Sequence, residues 1–346
     1  MIPIDGFPGR QISINAKAFL YFGGTSYLGL QSDPEFQELF IENIRKYGTG
    51  YGASRKSNIQ IMLFEEVETY LAHLVGSEAC ITMSSGYLAG QLLCDGFSTG
   101  EYALHYAPNT HSALYRNGAT VYKHWDVLRN HISKHPTKTP VVFLDSIDFY
   151  GENFPEYEAL RSLPLEKIIV VVDDSHGIGI TGEQGEGSFK FLQALRPKEL
   201  IVSCSLGKGF GVQAGAIFAT RERIQKLSDT PFFGGASPAA PAALATLKHA
   251  HGLCGKKRAL LKKRVALFTA SVAHLSRFTF VPDHPSFSFQ HETLATYLET
   301  NGILTTNFRY PTEASALMSR IVLNAEHTVK DVQRISSVLN DFNAAR

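Results

Sequence analysis

The chain has 346 residues, of which 44% are hydrophobic and 19% charged, and its formal net charge is +1. Such a length buries a large core and suits one large domain plus a smaller one, while the near-neutral charge excludes the electrostatic footprint of a nucleic-acid or anionic-membrane partner. No apolar run approaches the ~18 residues of a membrane span, the start lacks a secretory leader pattern, and Cys80, Cys94, Cys204 and Cys254 lack paired spacing, so a reduced, cytoplasmic protein without a metal site is expected.

Residues 1–35, with glycines and short apolar pieces, read as an N-terminal arm, and 36–235 as a large domain. Ser32-Asp33-Pro34 makes a good helix start, and Phe36, Leu39, Phe40 and Ile44 supply that helix with an apolar stripe. A glycine-rich loop over 46–55 follows, permissive enough for close approach of backbone to a ligand. Leu63, Val67, Tyr70, Leu71 and Leu74 mark the next helix, which Gly76 ends. A strand over 79–83 runs into Ser84-Ser85-Gly86-Tyr87, with a helix from Leu88; small residues at such a turn leave backbone N–H groups for a phosphate. Further strands are predicted over 141–145, 168–172, 201–205 and 215–219, the second of them a β-branched run suited to burial on both faces of a sheet. Strands alternating with helices at this spacing predict an α/β fold, with a mostly parallel central sheet flanked by helices.

The pattern changes near residue 235. One helix is expected from Ser237-Pro238 through Leu247 and another from about Lys256 to Leu275, then short strands around Phe287 and Ile321. Thr328 with Asp331 forms a capping box for a last helix carrying Val332, Ile335 and Leu339. Residues 236–346 are thus expected to form a small C-terminal α+β domain.

Two predicted strands end in chemistry. The run at 168–172 releases into Asp173-Asp174-Ser175-His176-Gly177, and that at 201–205 into Leu206-Gly207-Lys208-Gly209. Ligands of open α/β sheets bind beyond such carboxyl ends. A carboxylate, an imidazole, a hydroxyl and an amine for one site suit pyridoxal 5'-phosphate (PLP), which needs a lysine for its Schiff base, an acid at its pyridine nitrogen, an anion site for its phosphate and a group packed on its ring. Asp174 is assigned to the nitrogen, Lys208 to the Schiff base and to proton transfer at the substrate α-carbon, and the 84–87 turn with Ser205 to the phosphate.

Rival motifs fare less well. Gly177-Ile-Gly-Ile-Thr-Gly182 matches the G-x-G-x-x-G dinucleotide fingerprint, but no helix pattern follows it and no acid ends the strand about twenty residues on. Gly207-Lys208 is no phosphate-binding Walker loop, because Gly209 replaces the required Ser or Thr. The basic run 256–264 reads as a solvated helix face, with attraction of a phosphate-rich substrate such as coenzyme A as the alternative. His131 and His135 can share a helix face but lack a third metal ligand.

The residues also resemble a known family, the α-oxoamine synthases, which are fold type I PLP-dependent transferases. Asp173-Asp174-Ser175-His176-Gly177 followed by Gly182-Glu-Gln-Gly-Glu-Gly187 is similar to its central motif, and Ser205-Leu-Gly-Lys208-Gly-Phe-Gly211 to its lysine motif. Tyr27-Leu-Gly-Leu30, Ser85-Gly86-Tyr87 and Asn109-Thr-His111-Ser112 match in the same order. The resemblance implies that Lys208 carries PLP, Asp174 meets the pyridine nitrogen, His176 bonds the ring hydroxyl and His111 stacks on the ring. Ser85, Gly86, Tyr87 and Ser205 would hold the phosphate, and Arg320 would grip an amino-acid carboxylate with its planar fork. It further implies a homodimer that condenses an amino acid with an acyl-CoA or acyl-carrier thioester, usually with loss of CO2. The chain departs from the family where Gly24-Thr25-Ser26 replaces an Asn-Asp that helps bind substrate, around Asp148-Phe149-Tyr150-Gly151, and at Gly234-Gly235-Ala236, where a partner's serine or threonine is usual. These changes fall on the substrate side and point to a different substrate, with Thr25 as a candidate contact. An aminotransferase or amino-acid decarboxylase on the same scaffold, or a catalytically weak PLP-binding partner subunit, are the alternatives.

Overall fold

In the computed structural model, residues 3–116, 118–132, 138–310 and 312–344 are described. In chain order the strands are β1 (Gln11–Ile14), β2 (Lys17–Phe22), β3 (Ala79–Met83), β4 (Tyr102–Tyr106), β5 (Thr139–Asp145), β6 (Ile169–Asp173), β7 (Glu199–Ser205), β8 (Gly215–Ala219), β9 (Thr279–Phe280), β10 (Ser286–Ser288), β11 (Ile303–Arg309) and β12 (Leu317–Val322). The chain divides into two compact units, one of 38–148 with 152–251, the other of 1–37, 149–151 and 252–346. The division therefore differs from the expected one: the first 37 residues belong with the C-terminal segment, and 236–251 belong with the larger unit.

The larger unit holds a six-stranded sheet in the order β3-β8-β7-β6-β5-β4. Only β8 runs against its neighbours, so the sheet is mostly parallel. All five residues of β6 are buried, as its continuous β-branched run requires. Ile169 and Val171 share one face with Val141, Phe143, Ile201 and Ile217, packed against Ala89, Leu92 and Leu93 of the helix Gly86–Gly96. Each such side chain contributes roughly 1.5–3 kcal/mol on burial. The helices Pro34–Tyr47 and Leu63–Val75 match the expected stripes, and Gly76 ends the latter in a left-handed conformation. The helix expected from Leu88 starts two residues earlier, at Gly86.

The other unit carries a sheet in the order β1-β2-β11-β12-β10-β9. Here β2 pairs in parallel with β11, so the arm contributes two strands to this sheet. Arg10 grips Asp331 through Nε (2.6 Å) and Nη2 (3.2 Å), and Asp331 also takes the N–H of Thr328 at 2.7 Å, completing the predicted capping box of the helix Val329–Ala344. His327, fully buried, stacks on Phe22 at 4.0 Å between centroids; its Nδ1 accepts the Asn324 N–H, which leaves Nε2–H to donate to the Tyr21 carbonyl.

Two expected helices shift. The first begins at Pro241, not at Ser237-Pro238, because Ala240 is extended and Pro241 fits the opening turn; the second runs His251–Ser271. Within its basic run Lys257 pairs with Asp33, Arg258 is buried and Arg264 donates to the His327 carbonyl, so half of those charges serve packing. Among the described residues no helix is long and apolar enough to cross a membrane.

Candidate active site

The carboxyl ends of β5, β6 and β7 supply the site. Asp145 ends β5 and is paired in register with Asp173 at the end of β6. The helix Gly86–Gly96 packs on the face that holds Phe143 and Val171, two residues before these aspartates, and side chains two apart in a strand share a face. The Asp145 carboxylate accepts the His111 backbone N–H at 3.0 Å. Thr110 Oγ1 donates to the Ala107 and Phe143 carbonyls, fastening the histidine loop to β5. His111 Nδ1 accepts the Ala113 N–H at 3.1 Å, which fixes the ring plane and leaves Nε2 as the protonated nitrogen of the neutral ring.

Lys208 lies in the turn of helix that follows β7, and its Nζ is 3.0 Å from His176 Nε2, beyond β6. Burial lowers the His111 imidazole, with Asp173 raising it and Lys208 lowering it further, so these three groups share one field. Burial, with Asp173 beside it, pushes the Asp145 carboxyl well above the usual carboxylate range.

Asp174, assigned above to the pyridine nitrogen, has both carboxylate oxygens engaged within the protein. One carboxylate oxygen accepts the Ser146 hydroxyl and the other the Ser188 N–H at 2.8 Å. A Cβ added at Gly177 or Gly187 would run into these oxygens. Burial pushes Asp174 up to about 6, against the opposing pull of Ser146 and Ser188. With both oxygens occupied in an enclosed niche, Asp174 organises the 177–188 loop, while Asp173, with Asp145 beside it, shares the electrostatic field of Lys208 and His111. Composition could not separate two adjacent aspartates; strand parity was the signal, since Asp173 continues the face of Ile169 and Val171.

The same loop explains the dinucleotide look-alike. Gly177 leaves room for Asp174, and Gly179, at φ +82°, abuts the backbone of Gly209 one residue past Lys208. These glycines permit close packing of protein on protein, with Gly179 N–H closing on the Gly185 carbonyl at 2.8 Å.

The phosphate candidates do come together. Ser85 caps the helix Gly86–Gly96 by accepting the Leu88 N–H, and a Cβ at Gly86 would lie 2.7 Å from the Ser205 backbone. Ser205 N–H donates to Ser175 Oγ at 2.7 Å, joining the ends of β6 and β7. Tyr87 is 57% exposed, and its backbone N–H lies in the first turn of that helix. Beside Ser84, a groove of about 750 Å³ is lined by Thr49, Tyr51, Ser54, Gln213 and Ser237, with Gly234, Gly235 and Ala236 along it.

Arg320 and Thr25 belong to the other unit. Thr25 is exposed, and Arg320 is half-buried in β12 with its guanidinium 3.6 Å from the Phe149 ring centroid. His131 Nδ1 meets the Tyr122 hydroxyl at 3.1 Å, while His135 lies outside the described residues. All four cysteines are buried and unpaired.

Comparison with known proteins now decides the family. Residues 152–339 match the family model described as aminotransferase class I and II. The chain belongs to the aminotransferase class I and II family. Within it, the 8-amino-7-oxononanoate synthase of Pectobacterium atrosepticum is 27% identical over 97% of this chain and 92% of that protein. The enzyme of the same name from Nitrosomonas europaea is 28% identical, over 98% and 93%. Among solved structures, a serine palmitoyltransferase of S. paucimobilis with bound PLP and myriocin aligns at a TM-score of 0.83 and 18% identity, covering 100% of this chain and 92% of that one. An 8-amino-7-oxononanoate synthase from Francisella tularensis aligns at 0.71 and 19%, covering 94% and 98%. The fold of this family member is therefore that of the fold type I transferases.

Proposed function

We propose that the protein is a PLP-dependent α-oxoamine synthase, which joins the α-carbon of an amino acid to the acyl carbon of an acyl-CoA or acyl-carrier thioester, releases the thiol and CO2, and leaves an α-amino ketone. One observation carries this reading: Lys208 Nζ stands 3.0 Å from His176 Nε2 at the strand ends that also present Asp173. The names of the sequence relatives support the reaction class.

The residues present fit PLP. The Ser85-Gly86 turn against Ser205 is a cradle that a single Cβ at Gly86 would fill, and the remaining donors are one amine, one carboxylate and two imidazoles. PLP supplies an electron sink for the charge that develops at the substrate α-carbon. Lys208 Nζ would carry the cofactor and move the α-proton, with His176 Nε2 orienting the amine. Asp173, in place of Asp174, would hold a proton at the ring nitrogen. The His111 ring, fixed by Ala113 and Asp145, would pack on the cofactor, and the N–H groups at 85–87 with Ser205 would take the phosphate. Arg320 would receive the amino-acid carboxylate, with Thr25 as a second contact. We further propose a cytoplasmic homodimer, for which the groove along Gly234–Ala236 offers a surface.

The test is the visible spectrum of the purified protein, followed by mass analysis of products. A PLP band that shifts with one amino acid, with CO2 and free thiol appearing once an acyl-CoA is added, supports the synthase. A keto acid product without any thioester would make it an aminotransferase, and no band after adding PLP would sink the cofactor assignment.

A further inference from the structure

The surroundings of Arg320 are unusual for a half-buried cation. Among the described residues its guanidinium makes no hydrogen bond and no ion pair; what meets it is the Phe149 ring, 3.6 Å from Cζ. Burial lowers its pKa, and the Tyr27 and Tyr150 phenols act to raise it. A charge withdrawn from water without a counter-charge is costly, and an aromatic face relieves part of that cost.

Phe149 is held for this purpose at a cost of its own. Its φ is +61°, a conformation that bulky side chains rarely adopt. Strain of this kind persists where the surroundings over-determine it, and it concentrates at functional sites. Residues 149–151 group with the Arg320 unit although the chain on both sides belongs to the other. The ring is braced by His284, which it meets edge-on at 5.9 Å, and Tyr27 braces the same imidazole at 5.5 Å. His284 and Tyr27 are each 1% exposed, so the brace is packed into the core.

We propose that Phe149 is a positioning residue for Arg320: its ring fixes the guanidinium plane and stands in for the absent counter-ion, leaving the N–H edge for a ligand carboxylate. The covered face forces the carboxylate to approach in the guanidinium plane, where two parallel N–H bonds form. Receiving the substrate's carboxylate rests on the functional reading above, whereas the receptor itself is a property of this unit alone.

The experiment is a side-chain ¹⁵N–¹H spectrum of the intact, arginine-labelled protein, as purified and again after adding PLP, with the Arg320 signal assigned by its loss in Arg320→Lys. The wild-type signal should be displaced by the ring current of Phe149 and respond to acetate but not to acetamide. Phe149→Leu should abolish the displacement and weaken acetate about tenfold, or about 1.4 kcal/mol, while Phe149→Tyr restores both. In turnover, Phe149→Leu should raise KM for the amino acid about tenfold and change kcat far less. An Arg320 signal unmoved by Phe149→Leu, or indifferent to acetate in the wild type, would overturn the proposal. Failure of the PLP reading would look different: no visible band, with the acetate response intact.

Discussion

The strand ends around Lys208 and the aromatic surroundings of Arg320 handle charge in opposite ways. At the strand ends polar groups are dense and partnered: Lys208 with His176, His111 with Asp145 and Ala113, Asp174 with Ser146 and Ser188. Around Arg320 a single cation meets rings and phenols. A partnered cluster shifts pKa values and moves protons. A cation framed by rings holds its charge for an incoming anion. The first arrangement suits chemistry and the second suits binding.

The largest effect expected is at the cluster. Lys208→Ala should remove the covalently held visible band and lower turnover by at least ~10³-fold, as loss of a nucleophile and proton carrier does; a band surviving dialysis would break the assignment. Next, Asp173→Asn should cost on the order of 10²–10³ in kcat with little change in melting temperature, the scale seen when one electrostatic contact to developing charge is lost. Asp174→Asn should leave cofactor binding in place, because an amide still accepts from Ser188 and donates to Ser146. The reverse ranking of these two variants would restore Asp174 as the catalytic acid.

Acid titration sharpens the contrast as stability. Asp174, at about 6, lies above the usual 3.8 through burial, so its contribution is fullest below that value and is lost as pH rises through about 6. His327 lies at about 4 through burial, below the usual 6.5, so its contribution is present above 6.5 and is lost as pH falls toward 4. Each shift of about two units is worth on the order of 3 kcal/mol, with opposite sign. Between about pH 4 and 6, hydrogen exchange should show β6 amides better protected at the acid end and β2 amides at the other. Asp174→Asn should flatten only the former. The smallest effect is expected for Arg10→Ala, about 0.5–1 kcal/mol by thermal melting, since the arginine is partly exposed.

How much was legible follows the same physics. The strands β5 to β7 are largely buried on both faces, so short apolar runs announced them, with β6 continuously β-branched. β4, at the sheet edge and only partly buried, carries Tyr-Ala-Leu-His-Tyr and gave no such run. Where the arm attaches was not legible, because β2 finds its partner in β11, a pairing no local pattern reveals. At the site, Lys208 and His176 stood out by their place after strands, whereas choosing between Asp173 and Asp174 required knowing which face packs the helix Gly86–Gly96. The partner of Arg320 was hidden for a similar reason: Phe149 is 171 residues away in sequence and stacks there only through a left-handed turn.

The pairing of β2 with β11 and the Arg10–Asp331 clasp also set a timetable for the newborn chain. Arg10 leaves the ribosome 321 residues before its partner. At ~5–20 residues per second, roughly 15–65 s pass before that clasp can close, and for most of that time the β1–β2 hairpin has no β11 to join. The larger unit, whose sheet is complete by Ala219, has time to fold during that interval. The hairpin meanwhile waits as an open edge, a target for chaperones or for another nascent copy until β11 arrives.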